Sequence, residues 1–221
     1  MVHSKQVQFV VIILLLTVNC QLLTVPCASA QTFTSTAIPD SVFVRMQGKS
    51  FPEGCTVARS ELRYLRLSHW TNANQERVGE MVCNRAIAQD LIDIFRQLYE
   101  AHYIIESIHL IDDFGADDEQ SMRANNTSCF CFRRVAGSQK LSRHSLGMAV
   151  DINPLYNPCV RLKSAGQRTV QPSTATPYAD RRGKFPQKIT KSDLVYRLFT
   201  AHGFRWGGAW RSVKDYQHFE K

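Results

Sequence analysis

The run Ser142-Arg143-His144-Ser145-Leu146-Gly147-Met148-Ala149-Val150-Asp151 is answered near the C-terminus by Asp215-Tyr216-Gln217-His218. Two histidines and a carboxylate can hold one zinc ion, and a second carboxylate three residues before the last histidine can serve as a base. Hydrolysis is the chemistry such a set performs. In that arrangement His144, Asp151 and His218 are the ligands and one coordination position is left for water. The water pKa then falls to about 7, so hydroxide becomes available at neutral pH.

The spacing constrains the chain. Residues seven apart on a regular strand face opposite sides, so His144 and Asp151 converge only if the backbone turns between them. Gly147 permits that turn, since glycine tolerates positive φ and close backbone approach. Beyond it, alternation puts Ala149 on the Asp151 face and leaves Met148, Val150 and Ile152 for the core. Asp215 and His218 would also diverge on one strand. Asp215 is therefore placed at a turn leading into the strand, with Tyr216 and His218 on one face of it.

The elements around these residues read as a small α+β domain, with helices packed on a mainly antiparallel sheet. Arg85 to Tyr103 is the clearest helix, with Ile87, Leu91, Ile94, Phe95 and Leu98 at three- and four-residue spacing and Asn84 as its cap. Ile104 to Ile111 reads as a strand, Asp117 or Asp118 to Ala124 as a short helix, and Phe130 to Val135 and Met148 to Asn153 as further strands. Residues 154–190 hold five prolines and no periodic apolar pattern, which reads as a long surface loop. Asp193 to His202 forms a helix closed by Gly203, and Phe204 to Phe219 completes the sheet. Residues 31–78 read as an N-terminal extension wrapping the domain of residues 79–221. Gly48-Lys49-Ser50 matches the end of a phosphate-binding loop, but Phe43 stands where its first glycine belongs, which excludes that site.

Residues 1–30 have the form of a secretory signal: Lys5, the apolar run Val7 to Leu16, and Ala28-Ser29-Ala30 before Gln31. The apolar run is short of the roughly 20 residues a membrane span needs, so cleavage is expected and no stable membrane insertion. Without Lys5 the formal charge is 26 minus 19, or +7. An exported, basic, monomeric protein is expected, periplasmic or extracellular and associated with an anionic cell wall. No basic stripe interleaves with aromatics, and nucleic acid is not an expected partner. Five cysteines remain, Cys55, Cys83, Cys129, Cys131 and Cys159. Export opens them to oxidation, an odd number leaves one over, and their connectivity is undetermined. Cys129 and Cys131 stand about 6.5 to 7 Å apart on a strand, at the outer limit for bridging each other.

The string Ser142-x-His144-x-x-Gly147-x-Ala149-x-Asp151 with Asp215-x-x-His218 resembles the D-alanyl-D-alanine carboxypeptidase family of zinc peptidases. That family includes carboxypeptidases, dipeptidases and L-alanyl-D-glutamate endopeptidases acting on bacterial cell-wall peptides. The resemblance runs from about Gly79 to the C-terminus. It implies one zinc ion held by His144, Asp151 and His218, with Asp215 as catalytic base and a peptidoglycan stem peptide as substrate. It further implies an arginine that binds substrate carboxylate or steadies the oxyanion. Arg133 takes that place, with Arg134 as the alternative, since alternation lets only one face the site. Ser142 and Trp206 are expected to contact substrate, with Trp210 beside Trp206 as wall or packing. His69, His102, His109 and His202 have no motif support. The D-Ala-D-Ala-cleaving branch commonly has glutamate where this chain has Asp215, and aspartate is similar to the endopeptidase branch. Two other functions compete: a non-catalytic, metal-containing wall-binding domain, and a non-haem iron oxygenase. The oxygenase usually has one residue between its first histidine and the carboxylate, against six here.

Overall fold

The computed structural model describes residues 31–135, 138–162 and 167–221. The expected signal at residues 1–30 lies outside them. The architecture is α+β, as expected, built from three short antiparallel sheets. The first holds β1 (Phe33–Thr36), β2 (Leu62–Trp70) and β3 (Glu76–Asn84) in that order, and β2 pairs with β3 from Leu62 opposite Asn84 to Trp70 opposite Glu76. Helix α1 (Asp40–Met46) lies between β1 and β2 in the chain, and α2 (Ala88–Glu100) follows β3 and packs on β2. Next come α3 (Asp118–Arg123), β4 (Ala149–Asp151), β5 (Cys159–Leu162), β6 (Arg168–Gln171), α4 (Leu194–Ala201), β7 (Arg205–Trp206), β8 (Val213–Asp215) and β9 (His218–Glu220). The second sheet has the order β4-β9-β7 and the third β6-β5-β8.

Residues 31–78 are not a wrapping extension. They supply β1, α1 and β2, and β2 is the central strand of the first sheet. It is covered on both faces: Leu65 and Leu67 join Met81, Leu91 and Phe95 in the main core, whereas Leu62 and Tyr64 pack with Val42, Met46 and Phe130. A strand buried on both faces loses the alternation by which a strand is recognised. In α2, Leu91, Ile94, Phe95 and Leu98 face that core as their spacing predicts. Asn84 does not cap this helix. Its Oδ1 accepts from Ala86 N at 3.0 Å, while its backbone N donates to Gly147 O at 2.9 Å and its Nδ2 to Leu146 O at 3.0 Å. Asn84 thus moors the segment carrying His144 to the end of β3.

Two expected strands are extended chain without a ladder. Along Ile104 to Ile111, side-chain amides take backbone groups a neighbouring strand would use: Asn153 Oδ1 accepts from Glu106 N at 3.1 Å and Asn126 Oδ1 from His109 N at 2.7 Å. Phe130, Cys131, Phe132 and Arg133 donate in turn to Val82 O, His144 O, Ser50 O and Ser145 Oγ. Four consecutive residues with four separate partners cannot form a ladder, yet they tie the site to both halves of the domain. Residues 154–190 are also more than a surface loop. They contain β5 and β6, and half-buried Arg181 gathers them by donating to Tyr156 O at 2.8 Å, Asn157 Oδ1 at 3.0 Å and Ile189 O at 3.0 Å. All five cysteines described are free thiols. Among the described residues, no helix is long and apolar enough to cross a membrane.

Candidate metal centre and catalytic cleft

His144 sits in a 3-10 turn (Arg143–Leu146) whose first amides are capped by Ser142, with Ser142 Oγ accepting from His144 N at 3.3 Å. Gly147 closes the turn at φ 65°, and a Cβ there would lie 2.6 Å from Asn84 N. Only glycine meets both demands, left-handed backbone and contact with another chain segment. The turn leads into β4, where Asp151 stands directly opposite His218 of β9. Cross-strand partners share a face, so this register brings the carboxylate beside the second imidazole.

The three ligand atoms lie within 4.8 Å of one another. His144 Nδ1 is 2.6 Å from Cys129 O; a carbonyl only accepts, so that nitrogen carries a proton and Nε2 is the atom turned to the other two ligand groups. His144 Nε2 in turn lies 3.2 Å from His218 Nδ1 and 3.3 Å from Asp151 Oδ2, and His218 Nδ1 is 3.0 Å from Asp151 Oδ1. Burial alone would raise the Asp151 pKa, but the two histidines hold it well below the ordinary carboxylate range. Burial likewise opposes charge on His218, yet its hydrogen bonds to Asp151 and Glu220 push it up to about 10. The cluster therefore favours a cation, here met by a proton on His218. Two imidazole nitrogens and one carboxylate oxygen at this spacing fit a zinc ion.

Asp215 ends β8, where it pairs with Cys159 of β5, and a two-residue turn separates it from His218. Its Oδ1 is buried and has no hydrogen-bond partner among the described residues. Burial, helped by the charge on Asp151, pushes its pKa up to about 6. The close approach of Gly207 makes room for this turn: a Cβ there would fall 2.7 Å from Asp215 O, 2.9 Å from Asp215 Cβ and 3.2 Å from His218 Cβ.

A cleft of about 410 Å³ opens over these groups and is lined by Arg133, Ser142, His144, Asp151, Asp215 and His218. The structure selects between the two arginines. Arg133 faces the cleft, with Nε 2.6 Å from Asp118 Oδ2, whereas Arg134 turns away to the carbonyl of Gln139. Asp118 was missed by sequence reasoning, because an acid at the start of a short helix reads as a partner for the helix dipole. Burial raises its pKa against the pull of Arg133. Trp206 does not contact the cleft. It is buried in the main core, with Nε1 donating to Tyr216 O at 2.9 Å and its ring stacked on Phe219. Trp210 lines the cleft instead, its ring centroid 5.3 Å from that of His218. Glu220, two residues beyond His218 and so on the same strand face, also reaches the cleft. His69 and His202 lie apart from it, bonded to Ile105 O at 2.7 Å and to Asp90 Oδ1 at 3.0 Å.

Comparison with known proteins covers the C-terminal part of this site, and not Asp118 or Arg133. No curated protein and no solved structure matches the chain. Residues 136–221 match a family model described as D-alanyl-D-alanine carboxypeptidase. The matched stretch bears His144, Asp151, Asp215 and His218, and over it the chain is similar to the D-alanyl-D-alanine carboxypeptidase family of metallopeptidases.

Proposed function

We propose that this protein is an exported zinc metallopeptidase that hydrolyses an amide bond in the stem peptides of bacterial peptidoglycan. The observation that carries the reading is Asp215: a buried carboxylate with an unpartnered oxygen and a pKa near 6, in the same cleft as the His144, Asp151 and His218 cluster. A metal-stapled binding domain has no use for such a base. When bound, zinc would supply Lewis acidity and a lowered water pKa at neutral pH. Asp215 Oδ1 takes the proton from the attacking water and passes it to the leaving amine. A carboxylate with a pKa near 6 is ionised at neutral pH, yet basic enough to hold that proton through the step. Arg133 orients the substrate through a carboxylate or carbonyl oxygen, while Asp118 fixes the guanidinium. The C-terminal signature with aspartate at position 215 favours cleavage within the stem peptide over removal of a terminal D-alanine. The charge of +7 expected after loss of residues 1–30 supports attraction to an anionic wall.

Digestion of purified muropeptides by the zinc-loaded protein, followed by mass spectrometry, tests the reading and identifies the bond. New amino groups and shortened stems are expected. Zinc binding with intact muropeptides would instead establish the non-catalytic, metal-containing domain.

A further inference from the structure

The two metal-facing imidazoles are oriented by different means. His144 is fixed by a backbone carbonyl, Cys129 O. His218 has no backbone acceptor among its hydrogen bonds; its Nε2 lies 3.4 Å from Glu220 Oε2 while its Nδ1 faces Asp151 and His144. The other oxygen of Glu220 is held by Arg205, Nη2 to Oε1 at 2.8 Å. Strand geometry builds this chain of contacts. His218 and Glu220 are two apart on β9 and share a face, Phe219 between them goes into the core, and Arg205 is the cross-strand partner of Glu220.

We infer that Glu220, braced by Arg205, is a positioning residue that holds His218 with Nε2 protonated and Nδ1 turned to the metal. The inference rests on the proposed metallopeptidase reading for its biological purpose, but its test does not depend on hydrolysis. A ligating histidine needs an acceptor for its second nitrogen, and a carboxylate acceptor both fixes the tautomer and increases the basicity of the donor nitrogen. Arg205 occupies Oε1, which leaves Oε2 for the imidazole and keeps the carboxylate from swinging onto the metal.

The test measures zinc affinity by chelator competition in the full chain and in Glu220→Ala, Glu220→Gln and Arg205→Ala, together with the melting temperature of each metal-free protein. Glu220→Ala is expected to weaken zinc binding about ten- to a hundredfold, the range found when such outer partners are removed. Glu220→Gln keeps an oxygen that accepts from Nε2 and is expected to recover most of that loss; Arg205→Ala should give a smaller one. A role in folding alone would lower the metal-free melting temperature without this graded order of zinc affinities. Parental zinc affinity in Glu220→Ala, or equal losses in the Ala and Gln variants, overturns the inference. Should Glu220→Ala not fold, ¹⁵N shifts of the His218 ring in zinc-loaded Glu220→Gln decide it: Nε2 protonated and Nδ1 metallated supports the assignment, and the reverse refutes it. If the parent binds zinc but cleaves nothing, the peptidase reading falls and these affinities still decide the role of Glu220.

Discussion

Asp215→Asn separates the electrostatic cost of the base from its use. In the metal-free protein the folded-state pKa is raised from an ordinary 3.8 to about 6, chiefly by burial. Between those values the folded chain binds the proton more tightly than the unfolded chain. Stability therefore falls as pH rises through this window, and the full cost is present above about pH 6. At about 1.4 kcal/mol for each tenfold change in proton affinity, the cost approaches about 3 kcal/mol. Asparagine keeps the shape and removes the charge. Its amide also brings a buried N–H that lacks a partner, costing about 1–3 kcal/mol, but that term is independent of pH and cancels when two pH values are compared. Urea unfolding with a chelator present should thus show the stability of the variant, relative to the parent, improving by about 2 kcal/mol between pH 4.5 and pH 7.5. With zinc supplied, the variant should retain the metal and lose roughly 10²–10⁴ in hydrolytic rate. A stability difference that is flat with pH would refute the buried, protonation-prone carboxylate, and undiminished hydrolysis would refute its role as base.

Gly207→Ala forces a methyl into Asp215 O and Cβ, so the turn must shift; a loss of about 1–3 kcal/mol by urea unfolding is expected, with weaker zinc binding by chelator competition. The two tryptophans should separate cleanly. Trp206→Ala is expected to cost about 3–5 kcal/mol of stability, whereas Trp210→Ala, at the cleft rim, should leave the urea midpoint nearly unchanged and raise the KM for muropeptides. Arg181→Met strands the carbonyls of Tyr156 and Ile189 and removes the guanidinium stacked 4.4 Å from the Tyr216 ring. A loss on the order of 3 kcal/mol is expected, read by thermal unfolding, with Arg181→Lys recovering little because an ammonium cannot reach all the acceptors at once.

The chemistry was legible in the chain because it depends on residue type and on local backbone demands. His144, Gly147, Asp151, Asp215 and His218 announce a metal and a base, and the need for a turn at Gly147 follows from strand parity alone. The long periodic helix was legible for the same reason, since α2 buries one stripe. What escaped were features set by partners distant in sequence. β2 lies under α2 on one face and under α1 on the other, so its burial carries no period. The segments 104–111 and 130–135 have strand-like composition, but their backbone groups were claimed by side chains and scattered carbonyls. Which arginine faces the cleft depended on Asp118, fifteen residues earlier in the chain, and which tryptophan lines it depended on the core already being filled by Trp206. The sequence by itself determined the donor atoms and the turn that lets them meet. Tertiary structure decided their protonation, tautomers and second partners, because burial and long-range hydrogen bonds set proton affinity and neither is written in the spacing of residues.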